Sequence, residues 1–250
     1  QDNQWGMHDY TREGAQGCTS FNEIIAKGYG EPQSAKEFAE LAQWVNYDGH
    51  RSLFESRSQN RKGLLMWMSH SCWPSMVWQT YDYYFEPTAA YFAIKKASEP
   101  LHIQWNPATD EVEVVNYSAG THKGLTAKVQ VLNMDASVAW EKEATVDSNE
   151  DTTDKCIKLE FPENLSKVHF IKMTLTEDGK VVSDNFYHRS LEENNYQDLC
   201  QLAKVALQSA TTVDKNADGT WSAVSVIENK TSTPALMIRS EEHTSELQSP

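Results

Sequence analysis

The order of apolar and polar residues changes period once along this chain, close to Pro100. Before that point the spacing is helical. Ser34-Ala-Lys-Glu37 has the form of a capping box, in which a Ser hydroxyl and a Glu carboxylate satisfy exposed amides. Phe38, Leu41, Ala42, Val45 and Leu53 follow at helical spacing, predicting a helix over about 34–57. Gly63 to Met68 is a short apolar run of the kind a buried parallel strand shows. Glu86-Pro87 opens a second predicted helix, with Pro at its first position, running through Ala90, Phe92 and Ala97 to Ser98.

After Pro100 the period becomes two. Alternating runs at 101–106, 111–117, 125–133, 138–146, 156–161, 168–176 and 181–188 predict seven short strands, separated by turn residues such as Asn106-Pro107 and Asp178-Gly179. Seven such strands read as an immunoglobulin-like sandwich. From Asn195 a further unit begins, with strand candidates at 204–209, 220–229 and 234–239, too few to complete a second sandwich.

The fold class expected is therefore an α/β barrel remnant, the last strand and helices of a TIM barrel, followed by all-β immunoglobulin-like sandwich domains. The expected boundaries are 1–100 for the end of the barrel, 101–192 for the first sandwich and 193–238 for the start of a truncated second one. Residues 239–250 stand apart: RSEEHTSELQS, from Arg239 to Ser249, resembles the translation of a common sequencing adapter and is expected to be read-through.

Charge narrows the function classes. With 36 acidic against 22 basic residues the net charge is −14, which argues against a phosphate-tracking nucleic-acid surface and against an anionic membrane partner. A hydrophobic fraction of 39% is that of a globular chain. The four Cys, at 18, 72, 156 and 200, form no CxxC pair and signal neither a zinc site nor a disulfide framework. No run of about 18 apolar residues and no leader with a cleavage site occurs. The first residue is not Met, so the chain is expected to start inside a longer protein.

Aromatic residues add the one feature that a core does not explain. Of the 26 Phe, Trp and Tyr, 17 lie in residues 1–100. The stretch from Gly63 to Tyr84, GLLMWMSHSCWPSMVWQTYDYY, holds three Trp and three Tyr with a His, a Cys and a Pro. Leu, Ile and Val would fill a core without polar atoms that need partners. In an α/β barrel the loops that follow the strands form the active-site face, and an aromatic wall there suits a sugar, whose C–H face stacks on indole.

The run WMSHSCWPSMVWQTYDYYFEPTAAYFAIKKASEPLHIQWN resembles the end of the catalytic barrel in glycoside hydrolase family 2. It is most similar to the exo-β-glucosaminidase and mannosylglycoprotein endo-β-mannosidase branch, in which W-P-S, Y-D-Y-Y, E-P-T-x-A-Y-F and E-P-L-H succeed one another. The preceding helix resembles that branch through Ala42, Gln43, Asn46, Tyr47, Arg51 and Glu55. DNFYHRS followed by YQDLCQL resembles the family's passage between C-terminal sandwiches, so the likeness covers nearly all of residues 5–238.

The resemblance implies a retaining β-glycosidase of carbohydrate catabolism, with one Glu as general acid/base and a second as nucleophile. It implies that both lie upstream of residue 1, so that this chain holds no catalytic residue and is inactive alone. It further implies a glycan substrate, export to the periplasm or beyond, and no cofactor, metal, nucleic acid or membrane insertion. The position of Trp73 in W-P-S implies an indole lining the substrate end of the barrel. His70 and Ser71 stand where many relatives carry a pair of Asn residues and are candidates to bind sugar hydroxyls. Trp78, Tyr81, Tyr83 and Tyr84 read as scaffold.

Three tempting acids read as structural. Asn22-Glu23 imitates an acid/base motif without a preceding buried strand, Glu55 belongs to the helix pattern, and Glu86 sits at a helix N-cap. Asp214-Lys-Asn216-Ala-Asp218-Gly219 matches half of a calcium-loop signature, but Ser225 stands at position twelve, and a polar hairpin turn is expected. The competing reading is a non-catalytic carbohydrate-binding or adhesive β-sandwich protein, which has no use for the helix–strand–helix block before residue 100.

Overall fold

The computed structural model describes residues 18–56, 63–74, 79–117, 119–236 and 238, with the side chains of 18–21 left aside. The tail at 239–250, Trp78 and the residues before Cys18 lie outside that set. Among the described residues three helices come first: α1 (Cys18–Tyr29), α2 (Ala35–Glu55) and α3 (Ala89–Ala97). At the start of α2 the Ser34 hydroxyl accepts from the Glu37 amide at 3.1 Å, and the Glu37 carboxylate accepts from the Gln33 amide at 2.7 Å. Capping residues thus fixed this helix start in advance.

Seven strands follow: β1 (Leu101–Asn106), β2 (Glu111–Asn116), β3 (His122–Asn133), β4 (Val138–Ser148), β5 (Thr152–Lys158), β6 (Val168–Glu177) and β7 (Lys180–Ser190). They form two antiparallel sheets, β1-β2-β5 and β4-β3-β6-β7. This is an immunoglobulin-like sandwich. Its core is the set of inward positions that period two requires: Ile103, Val112 and Val114 from one sheet, and Leu125, Val129, Val131, Ile171, Met173 and Leu175 from the other.

A second compact unit begins at Gln201. Within it β8 (Gln208–Lys215) and β9 (Trp221–Glu228) make an antiparallel hairpin, closed by a turn with Gly219 at φ +88°. The Asp218 carboxylate accepts from the Thr220 amide at 3.0 Å inside that turn, the polar hairpin geometry expected of this stretch.

Four expectations change. Gly63–Met68 is not a strand: its residues join no ladder among the described residues, and Leu65 is 99% exposed. An apolar run has strand form only where neighbouring backbone completes its hydrogen bonds. The helix expected from Glu86-Pro87 begins at Ala89, because Pro87 is taken up in a bridge to Tyr81 and Thr88 is the N-cap. Glu86 therefore precedes the helix rather than capping it. β5 lies upstream of the expected 156–161, since the ladder pairs polar Thr152 to Lys155 with β2, while Leu159 has left the sheet to donate its amide to Asp110 O. Finally, β8 replaces the strand expected at 204–209, and 234–236 are not extended into one.

Candidate functional site

The described residues of the loop, 63–74 and 79–88, include the exposed Trp67, Trp73, Tyr83, Tyr84 and Phe85. The loop is held by a few defined bonds. His70 and Tyr81 form a parallel bridge, and the Tyr81 amide and Thr80 hydroxyl both donate to Ser69 O, at 3.1 and 2.9 Å. The Asp82 carboxylate accepts from the amides of Tyr84 and Glu86, at 2.8 and 2.9 Å, closing the turn that presents Tyr83, Tyr84 and Phe85. Its far end is tied to the helices. Thr88 donates its hydroxyl to Gln79 O at 2.8 Å, and Gln43 of α2 caps α3 by accepting from the Ala89 amide at 2.7 Å.

On this frame Trp67 is 77% exposed, Phe85 72% and Trp73 45%. The His70 ring stacks on Phe85, with centroids 4.3 Å apart and planes at 16°. His70 Nε2 is buried with no hydrogen-bond partner among the described residues. Ser71, by contrast, is turned inward, 2% exposed, and donates its hydroxyl to Gln79 Oε1 at 2.7 Å. Tyr81 packs on Tyr91 at 5.4 Å, as scaffold does, while Tyr83 and Tyr84 are exposed. Trp73, His70 and Ser71 thus share one loop but face different surroundings.

Two residues of this loop are strained. Met68 and Phe85 hold φ of +59° and +67°. The other non-glycine residues with positive φ are Asp, Asn or Ala, which tolerate it better than an aromatic or a long side chain. Such strain costs on the order of 1–3 kcal/mol per residue and collects where a loop must present side chains in a set arrangement.

A second polar cluster lies where α2 and α3 meet the sandwich. Both oxygens of buried Glu55 are engaged: Tyr187 donates its hydroxyl to Oε2 at 2.8 Å, and Asn185 donates its amide to Oε1 at 2.8 Å. His102 lies 3.1 Å from Glu55 through Nε2 and 3.1 Å from Glu99 through Nδ1. Burial alone would lower the His102 imidazole, but its bonds to the two carboxylates outweigh burial and hold it above its usual range. Glu99 is held down at about 2: burial opposes this, and hydrogen bonds from His102, Lys96 and Ser183 overcome it. Arg51 donates to Phe186 O and to Asp48 at 2.8 Å, and its guanidinium lies 4.2 Å from the centre of the Tyr187 ring.

This seam explains residues that sequence reading recognised only as a pattern. Gln43, Arg51 and Glu55 from α2, Glu99 and His102 from E-P-L-H, and Asn185 and Tyr187 from D-N-F-Y-H-R cap, clamp or bridge the join. Glu55 is not a candidate catalyst: its carboxyl is buried and both oxygens are occupied. Glu23 stands exposed on α1. Sequence reading passed over Gln79, whose only signal is an amide set among aromatic residues. Among the described residues no group of three or more His, Cys, Asp or Glu is arranged to hold a metal ion, and no helix is long and apolar enough to cross a membrane.

Known proteins share this architecture. Residues 110–190 match the Mannosidase Ig/CBM-like domain. The chain is 34% identical over 177 residues to an exo-β-D-glucosaminidase of Amycolatopsis orientalis, covering 67% of this chain and 17% of that protein. It is 27% identical over 202 residues to a mannosylglycoprotein endo-β-mannosidase of Lilium longiflorum, covering 77% of this chain and 21% of that protein. The crystal structure of the exo-chitosanase CsxA of Amycolatopsis orientalis superimposes with a TM-score of 0.84 at 26% identity, over 93% of this chain and 31% of that one. The chain therefore spans less than a third of the length of each of these relatives.

Proposed function

We propose that this chain, a homologue of part of the exo-β-glucosaminidases and mannosylglycoprotein endo-β-mannosidases of glycoside hydrolase family 2, is the C-terminal portion of a retaining β-glycosidase of that branch. In this reading the helices and aromatic loop close the catalytic barrel, and the sandwich backs them. Both catalytic carboxylates come from residues outside these 250, so the chain alone hydrolyses nothing. The whole protein takes a β-linked glucosaminide, mannoside or related glycan, and works in the periplasm or outside the cell, where such polymers lie.

The observation that carries the proposal is the exposed, strained aromatic loop in a chain whose likeness to an exo-chitosanase runs through 93% of its length. The Trp73 indole offers a flat apolar face to the C–H face of a pyranose, in the same loop as the His70 ring stacked on exposed Phe85. Ser71 is turned inward and bonded to Gln79. A carbohydrate-binding protein without catalysis is the second reading, favoured by the Mannosidase Ig/CBM-like match over 110–190.

Recovery of the complete gene and assay of its product decide between the two. The full protein is expected to release nitrophenol from a β-glucosaminide, β-mannoside or β-galactoside, and the 250-residue chain from none. Trp73→Ala in the full protein is expected to lower kcat/KM by roughly a hundredfold, because stacking is strengthened at the transition state. A full protein inactive on all three, lacking two Glu at the ends of barrel strands, would leave the binding reading.

A further inference from the structure

The structure assigns to Gln79 a positioning role: its buried amide, acting through Ser71, sets the place of Trp73. Gln79 is 5% exposed, although its loop also carries Trp67, Tyr84 and Phe85 open to solvent. A loop amide is driven inside only when its hydrogen bonds are met there, since an unmet one costs more than the burial returns. Gln79 meets them in two directions. Its side-chain Oε1 accepts the Ser71 hydroxyl at 2.7 Å, and its backbone carbonyl accepts the Thr88 hydroxyl at 2.8 Å.

Thr88 is in turn the N-cap of α3, and the first amide of α3 is capped by Gln43 from α2. A continuous path of short hydrogen bonds therefore runs from α2, through the start of α3 and Gln79, to Ser71. Trp73 lies two residues beyond Ser71, and Pro74 follows it with its backbone φ fixed by the ring. The half-exposed indole is thus carried two residues from the Ser71 hydroxyl held by Gln79 and directly before the stiff Pro74. Ser71 is on this account a pin under the site rather than a ligand for sugar.

The inference rests on the reading of Trp73 as a sugar-stacking residue only for its consequence in binding; the clamp itself is testable without sugar. The 250-residue chain is labelled with 5-fluorotryptophan, the Trp73 signal is assigned by Trp73→Phe, and fluorine NMR is recorded for Ser71→Ala, Gln79→Leu, the double variant and Ser71→Thr. Both single variants are expected to shift and broaden the Trp73 signal while Trp105, Trp140 and Trp221 keep theirs. The double variant is expected to match either single one, because both remove the same pin, and Ser71→Thr is expected to restore the parental signal. Unchanged Trp73 signals in Gln79→Leu, or effects that simply add in the double variant, overturn the clamp. Intact signals of Trp105, Trp140 and Trp221 report that the strands have folded, and an intact Trp44 signal that α2 has. Titration of the complete protein and its Gln79→Leu variant with a glucosamine tetrasaccharide then separates the two claims. A Trp73 signal that never responds to the sugar contradicts the functional reading alone, whereas a response kept at full strength in Gln79→Leu contradicts the positioning role alone.

Discussion

The aromatic loop at 63–88 and the seam between α2 and the sandwich are built from the same kinds of side chain and use them in opposite ways. Two histidines make the contrast plain. His102 is fully enclosed, with each ring nitrogen 3.1 Å from a carboxylate, so its chemistry is spent on holding two elements together. His70 turns a ring face to exposed Phe85 and leaves Nε2 with no partner among the described residues. The carboxylates divide likewise: Glu55 has both oxygens occupied inside, while Asp82 shapes a surface turn that lifts three aromatic rings into solvent. At the seam polar groups satisfy one another and stabilise; in the loop they shape a backbone that leaves Trp67, Trp73, Tyr84 and Phe85 open to solvent.

If that division is right, damage to the seam appears as lost stability and damage to the loop as lost binding. The largest stability effect is expected for Glu55→Ala, which strands His102, Asn185 and Tyr187 together in a buried place. Removing one partner of a buried ionic network costs about 3–5 kcal/mol. Urea denaturation should show it as a fall in midpoint, and a loss below about 1 kcal/mol would mean that the seam is not what holds the helices to the sandwich. Tyr187→Phe removes one hydroxyl, which donates to Glu55 and accepts from the Trp105 amide at 3.2 Å, and should cost about 1–3 kcal/mol by the same measurement.

The pH dependence of stability sharpens the picture, because three groups of the join act with different signs. Glu99, held at about 2 against an ordinary 4.5, contributes stability that is present above 4.5 and lost as pH falls through about 2. His102, held above 6.5, contributes stability that is full below 6.5 and lost as pH rises through its raised value. His188 is pushed down by burial, with Arg51 adding and Asp48 opposing, so its contribution is present above 6.5 and lost as pH falls below it. Thermal melting across pH should therefore decline on both sides of neutrality. Glu99→Gln should remove part of the acid-side decline and His102→Gln part of the alkaline one. The smallest stability effect is expected for Trp73→Ala, within about 0.5 kcal/mol, as for a surface residue outside the core. A loss of several kcal/mol there would move Trp73 from the site into the scaffold.

The sandwich was legible in the sequence because each strand buries one face, so that period two appears in the letters themselves. The exceptions have physical causes. β5 pairs through polar Thr152 to Lys155, where backbone bonds and not side-chain apolarity define the strand. Gly63–Met68 carries the letters of a buried strand but has no neighbouring ladder among the described residues to make it one. The start of α2 was readable from Ser34 and Glu37, whereas α3 begins at Ala89 because a bridge between Tyr81 and Pro87 takes up the residues before it.

The site was legible as a composition and not as an arrangement. Three Trp and three Tyr within Gly63–Tyr84 pointed to a surface with work besides packing. Nothing in their order distinguished Ser71, turned in toward Gln79, from His70, stacked on a neighbour. The seam was still less readable, since Glu55 and Tyr187 meet across 132 residues. Arg51 and Glu55 could be seen as a pattern on α2, but what they hold is determined by β1 and β7, which only the folded chain brings beside them.

The most direct test of this division is a titration of the complete protein with a glucosamine tetrasaccharide, followed by NMR of the Trp indole and His imidazole groups in one sample. The Trp73 signal is expected to move in proportion to bound sugar, with His70 responding beside it, while His102 and His188 stay in place throughout. Movement of His102 and His188 with Trp73 and His70 unmoved would contradict the account, because it would put the ligand at the seam and make the exposed aromatic loop a bystander.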